Sequence, residues 1–242
     1  VAFIPDQNEI LNILQHSPVF RGIEPDRLKK KFAPAMETIT LGRPSGESSF
    51  LIDDYFYIVL RGMVHGFVSD EYGERRVSIF VLKEGDGFDV LSLLGERDRK
   101  LVYSCLGRKA ICLQVPLPTM RKWIREEPQM SKALLLYLAH LLAELEELVF
   151  DLSLYDTSTR LVKLLLRHAK TNIHGNHGPS ILYHLTHEEL ASLIGSVRVV
   201  VSRQVQKLKK MSLIEVEKGK IIIRDLKLLM DLIEKRKKEI KK

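Results

Sequence analysis

Cys105 and Cys112 are the only cysteines in 242 residues. Two thiols cannot staple a fold through a disulfide framework, so the core must carry itself, and a reducing compartment, the cytoplasm, is expected. No apolar run is long enough to cross a bilayer, and the first residues, Val1 to Asp6, lack the charged-then-apolar layout of a secretory signal. Catalytic signatures are missing too. There is no Gly-x-Ser-x-Gly elbow, no glycine-rich phosphate loop ending in Lys-Ser/Thr and no His-Glu-x-x-His. Asp53-Asp54 and Asp86/Asp89 pair carboxylates only in turn-like segments. An enzyme is therefore not expected.

What is present is ordinary globular composition, 45% hydrophobic and 29% charged, with an uneven charge distribution beneath a net +7. Residues 1–155 carry 19 basic and 22 acidic side chains, net −3, whereas residues 156–242 carry 19 and 9, net +10. A basic C-terminal third on a mildly acidic body suits a polyanionic partner for that third. A lysine-rich solvated tail, Lys235 to Lys242, accounts for part of the excess equally well.

Three regions follow in order. From Pro18 to Pro116, short aromatic and β-branched runs alternate with turn clusters: Tyr55–Leu60, broken by Arg61-Gly62, then Met63–Val68, Arg75–Leu82 and Ala110–Val115. This spacing predicts an antiparallel β-roll or sandwich. A short helix, Thr119 to Glu126, comes next, and then a long one from Met130. Leu134, Leu138, Leu141, Leu145, Leu148 and Leu152 recur along it at alternating spacings of four and three, the pattern of a two-helix seam. Leu135, Leu136 and Leu142 widen the apolar face, which leaves room for packing on the chain's own body as well. Asp156-Thr157-Ser158-Thr159 supplies N-cap candidates for a new helix, Arg160 to Ala169, and places a boundary between Leu152 and Asp156.

The most informative stretch runs from Thr186 to Met211. Thr186 and Glu189 form a capping box before a short apolar helix, Gly195 permits the tight turn, and a second helix runs from Val197 to Met211. Val201, Val205 and Leu208 make its buried stripe. Arg198, Val199, Ser202, Arg203 and Gln206 share the opposite face. A hairpin, Leu213–Glu217 and Lys220–Arg224 around Lys218-Gly219, completes a winged helix-turn-helix. Lys207 and Lys218 add positive charge to this element, which favours phosphate contact over a protein-interaction role. The candidate DNA-contacting residues are Arg198, Val199, Ser202, Arg203, Gln206, Lys207, Thr186 and Lys218.

The order β-roll, long helix, winged helix resembles the Crp/Fnr family of bacterial transcription regulators. The likeness is carried by Pro18-Val19-Phe20-Arg21-Gly22-Ile23, Tyr57-Ile58-Val59-Leu60-Arg61-Gly62, Leu190-Ala191-Ser192-Leu193-Ile194-Gly195 with Ser202-Arg203, and Asp225-Leu226. It implies an α+β chain with a cyclic-nucleotide-binding-like jelly-roll effector domain at 1–128, a dimerisation helix and hinge at 129–154 and a DNA-binding domain at 155–242. It also implies a cytoplasmic homodimer on a near-palindromic operator of double-stranded DNA, with RNA polymerase as a further partner. Arg203 matches the family arginine that pairs with guanine. At Val199, where many members carry glutamate, valine offers methyls to thymine instead.

The family's cyclic-nucleotide anchors are a Gly-Glu-Leu triplet and an Arg-Ser or Arg-Thr pair. Asp89-Val90-Leu91 and Lys100-Leu101 stand in their places, and Leu145-Glu146 replaces the polar pair on the long helix. Cyclic AMP is therefore not expected. Phe88, Asp89, Val90, Leu91, Arg99 and Lys100 remain the candidate effector-pocket residues, although Arg99 and Lys100 also fit a solvated loop. Two cysteines exclude a four-thiolate iron–sulfur site and read best as buried, inert thiols. Haem, with His65 or His140 as ligand, leaves a gas-sensing member open as a second reading, and a ligand-binding protein without DNA is a third. No histidine spacing suits zinc, and no membrane partner is expected.

Overall fold

A computed structural model of the chain describes residues 5–42, 54–72, 75–95, 101–171, 181–183, 185–217 and 220–240. Its contacts divide the chain into two compact units, one of Val1–Gly66 with Phe80–Leu145, the other of Phe67–Ile79 with Glu146–Lys242.

The first unit is built on strands β1 (Glu37–Gly42), β2 (Tyr55–Ser69), β3 (Arg76–Leu82), β4 (Gly87–Phe88) and β5 (Val102–Pro116). They form an antiparallel roll in the order β1-β5-β2-β3, with β4 on β2. Helices α1 (Gln7–His16), α2 (Pro25–Arg27), α3 (Val90–Leu94), α4 (Leu117–Glu126) and α5 (Pro128–Leu154) complete it, α5 continuing into the second unit. The long strands are buried on both faces, and their period of two sorts the side chains. Phe56, Ile58 and Leu60 join Ile111, Leu113 and Val115 in a cluster shared with Phe20, Phe32, Trp123 and Tyr137. Their neighbours Tyr57 and Val59 turn the other way, to Phe88, Tyr103, Cys105 and Cys112. Double burial is why these strands read as apolar runs with little polar alternation.

The expected break at Arg61-Gly62 is not a strand end. β2 runs through it, with Gly62 at φ +84°. Gly107 bends β5 at the same φ, so β5 begins eight residues before the expected Ala110. A β-carbon on Gly62 would sit 2.8 Å from the Lys109 carbonyl oxygen, whereas one on Gly107 meets nothing within 4 Å.

The second unit holds the tip of the β2–β3 hairpin (Phe67–Ile79), the end of α5, α6 (Thr157–Thr171), β6 (Ile181–Tyr183), α7 (His187–Leu193), α8 (Arg198–Lys210), β7 (Ile214–Glu217), β8 (Lys220–Ile223) and α9 (Leu226–Ile240). Asp156 caps α6 by accepting the Thr159 N–H at 2.8 Å. The wing is a three-stranded sheet, order β6-β8-β7, and β6 was not expected. The lysine-rich end continues a helix that was not expected. Through residue 240 it is helical, with Leu229 and Ile233 buried and Arg236 paired to Asp156 at 3.1 Å. Its basic residues hid an apolar period of four.

The two bends separate backbone strain from steric clash. Gly107→Ala is expected to cost about 1 kcal/mol from its positive φ alone, and Gly62→Ala about 2–3 kcal/mol because carbonyl crowding adds to the same strain. Urea unfolding midpoints check this; equal losses would contradict the crowding.

Candidate nucleic-acid interface

The helix-turn-helix is assembled by local chemistry. The Thr186 hydroxyl accepts the Glu189 N–H at 3.1 Å, and the Glu189 carboxylate accepts the Thr186 N–H at 2.6 Å, closing the capping box that starts α7. Gly195 ends the turn at φ +61°, and the Ser196 N–H returns to the Ala191 carbonyl at 2.8 Å. α8 then buries Val201, Val205 and Leu208. Its other side exposes Arg198, Val199, Arg203, Gln206 and Lys207, with Ser202 half-buried among them. The residues at 199, 202, 203 and 206 fall on one face because their spacings are three to four. Thr186 is exposed at the head of α7, committed to its cap. Lys218 lies outside the described residues.

Sequence reasoning missed what holds the turn in place. The Gly195 carbonyl accepts from Arg75 at 3.3 Å and from Arg160 at 3.5 Å. Behind α7, the hydroxyls of Ser78 and Ser192 share a buried hydrogen bond of 2.8 Å. Burial, and then the charge of Arg75, lowers the pKa of the Arg160 guanidinium from its usual value. Arg75 and Ser78 come from the hairpin of β2 and β3, more than a hundred residues away in sequence, where no local pattern announces the contact.

The Crp-like helix-turn-helix domain model matches residues 159–232. The global nitrogen regulator of Synechococcus elongatus is 30% identical over 169 residues, which span 69% of this chain and 76% of that protein. The chain belongs to the Crp/Fnr family. It is a DNA-binding transcription regulator with the α+β architecture of that family, a jelly-roll followed by a winged helix-turn-helix. The transcriptional regulator SdrP of Thermus thermophilus is 28% identical over 183 residues, 76% of this chain and 86% of that protein. A crystal structure of a Crp/Fnr-family transcriptional regulator, also from Thermus thermophilus, superposes with a TM-score of 0.63 at 28% identity, covering 83% of this chain and all of that one.

Within the roll of this Crp/Fnr member lies a cavity of about 350 Å3. Phe88, Asp89, Val90 and Leu91 line it as expected. Arg99 and Lys100 lie outside the described residues. Phe80, Leu82, Gly87, Tyr103 and three leucines of α5, Leu138, Leu141 and Leu142, also line it and were not anticipated as pocket residues, and Leu145, in the place of the family's polar pair, lines it too. Asp89 is fully buried at φ +69°, a left-handed conformation where the family pattern has glycine. Burial, with the Asp89 charge behind it, pushes the Tyr57 hydroxyl up to about 12. This wall does not fit a cyclic nucleotide. The ribose-binding glutamate is the buried Val90, and α5 presents leucine at 145.

Haem fits no better. His65 is buried and its Nε2 shares a 2.9 Å hydrogen bond with Ser104, while His140 is 59% exposed beside Glu144. Neither lines the cavity. Among the described residues no cluster of three or more His, Cys, Asp or Glu could hold a metal.

The long-helix leucines divide. Leu134 is 4% exposed and packed in the roll's own core with Tyr137, so it cannot meet a partner, and Leu138 and Leu141 pack against the same cluster. Leu138, Leu145, Leu148 and Leu152 are half-buried. The exposed apolar side chains of α5 are Leu135 at 68%, Leu142 at 58% and Val149 at 62%, with Leu136, Phe150 and Leu154 exposed beside them. Of the expected seam, Leu134 is therefore taken up by the chain's own core, because a leucine-rich helix offers two overlapping heptad readings that only tertiary packing separates.

Both cysteines are free and buried, and burial pushes the Cys112 thiol up to about 12. The native protein should therefore leave a thiol reagent unreacted at pH 8 and react at both positions once unfolded. Reaction of the folded protein would show an accessible thiolate and reopen a redox role.

Proposed function

We propose that this Crp/Fnr regulator acts in the cytoplasm as a homodimer on a near-palindromic operator, reading each half-site with the N-terminal half of α8. The observation that carries this reading is the exposed row Arg198, Val199, Arg203, Gln206 and Lys207 on the helix that the turn at Gly195 presents. Arg203 makes a bidentate pair with a guanine, worth roughly 1–3 kcal/mol at each half-site. Val199 packs on a thymine methyl and makes the half-site richer in A·T than one read by glutamate. Lys207 and Lys218 contact phosphates, and RNA polymerase is the downstream partner.

In this reading residues 1–128 sense, 129–154 join and 155–242 bind DNA. The dimer seam follows Leu135, Leu138, Leu142, Leu145, Val149 and Leu152. These positions keep spacings of three and four, and Leu135, Leu142 and Val149 among them are the exposed ones. An effector other than cyclic AMP occupies the cavity of the roll and acts through α5.

Arg203→Ala should abolish preference for the selected operator, with the dimer intact by sedimentation, while salt-sensitive nonspecific binding persists. Selection from random DNA gives the operator. Unchanged specificity in the variant, or a strong G·C requirement at the Val199 position, would contradict the docking.

A further inference from the structure

The cavity of the roll also limits the kind of molecule it can hold. Its described walls are hydrocarbon and aromatic: Phe80, Leu82, Val90 and Tyr103 from the roll, Leu138 and Leu145 from α5. Among the described lining residues the single carboxylic acid is Asp89, and none is Lys, Arg or His. The hydroxyl of Tyr137, which reaches from α5 to the turn before α3, is already committed to the Gly87 carbonyl at 2.7 Å. Taking an ion out of water costs several kcal/mol unless a partner charge or a set of hydrogen bonds replaces the lost hydration. A phosphate or carboxylate finds no cation among these wall residues. A neutral apolar molecule gives up no ionic hydration on entry and gains the burial of its own surface, which offsets the freedom it loses on binding.

We infer that the cavity binds a small, uncharged, largely apolar molecule of about a dozen heavy atoms and not a nucleotide or other anion. This rests on the proposed reading of the cavity as the effector site. The volume, about 350 Å3, lies at the small end of ligand sites. At protein-like packing it holds roughly that many atoms. Leu91, 44% exposed, and Leu142, 58% exposed, form the mouth. Leu138, Leu142 and Leu145 thus belong both to the cavity wall and to the proposed dimer seam. A ligand that packs on these three leucines favours one helix placement over another, which is how an apolar molecule is read by a DNA-binding dimer.

The test uses the full chain and the fluorophore 1-aminonaphthalene, neutral at pH 7 and within the size the cavity admits. It should bind saturably, one per chain, with enhanced fluorescence. Leu91→Trp, which fills the mouth at an exposed position, should weaken binding about tenfold or more, and Leu91→Met should leave it unchanged. Neither cyclic AMP nor inorganic phosphate should displace the probe. Absence of saturable binding, indifference to Leu91→Trp, or displacement by either anion would overturn the inference. Operator affinity measured on the same samples separates the two levels. Probe binding that leaves operator affinity unchanged supports the ligand class and removes the effector role. Operator affinity that responds to cyclic AMP and not to the probe keeps the effector role and overturns the ligand class.

Discussion

The rotation of α5 about its own axis is the constraint on which the rest of the first unit depends. Ala133, Leu134 and Tyr137 are buried against the roll, and the Tyr137 hydroxyl donates to the Gly87 carbonyl. Burial holds that hydroxyl protonated and so keeps it a donor. With 100° between successive residues, fixing these three leaves no freedom for the others. Leu138, Leu141 and Leu145 must face the cavity, and Leu135, Leu142 and Val149 must face out. One helix thereby closes a pocket with one side and offers an apolar stripe with the next. The two roles overlap at Leu138, Leu142 and Leu145, and that overlap gives a bound molecule something to act on.

In the second unit the corresponding constraint is the turn at Gly195. Its positive φ directs the chain from α7 into α8, and a β-carbon there would lie 2.5 Å from the end of the Leu152 side chain. The two arginines on its carbonyl and the Ser78–Ser192 hydrogen bond hold the turn from behind, leaving the outer face of α8 exposed. The last turn of α5 carries Asp151, which pairs with Lys163 of α6, while Arg167 of α6 pairs with Glu147 at 2.9 Å. Charged contacts of this kind fix the entry angle of α6 on the end of the long helix.

Much of this was legible in the sequence, for identifiable reasons. The capping box at Thr186 and Glu189, the glycine at 195 and the buried triplet Val201, Val205 and Leu208 are local signals, and each lies where its spacing put it. The departure of Asp89-Val90-Leu91 from the nucleotide-binding pattern was equally readable, and these three residues line the cavity. The misses have a common cause: they depend on partners distant in the chain. Arg61-Gly62 looks like a strand end, yet the strand partner carries the chain through it. The leucines of α5 fit two heptads, and only the roll decides which row is spent internally. Arg75 and Ser78 looked like ordinary strand residues until the turn they support came beside them. The helical period of α9 was masked by its lysines.

The central claim is that the roll sets the face that α5 offers to a second chain. Single cysteines introduced along α5, with the two natural thiols buried, test it directly through oxidative cross-linking of the dimer. Strong cross-links are expected at Leu135→Cys, Leu142→Cys and Val149→Cys and weak ones at Leu136→Cys and Ala143→Cys. A maximum at Leu134→Cys, Leu141→Cys and Leu148→Cys, or no periodicity at all, would contradict it.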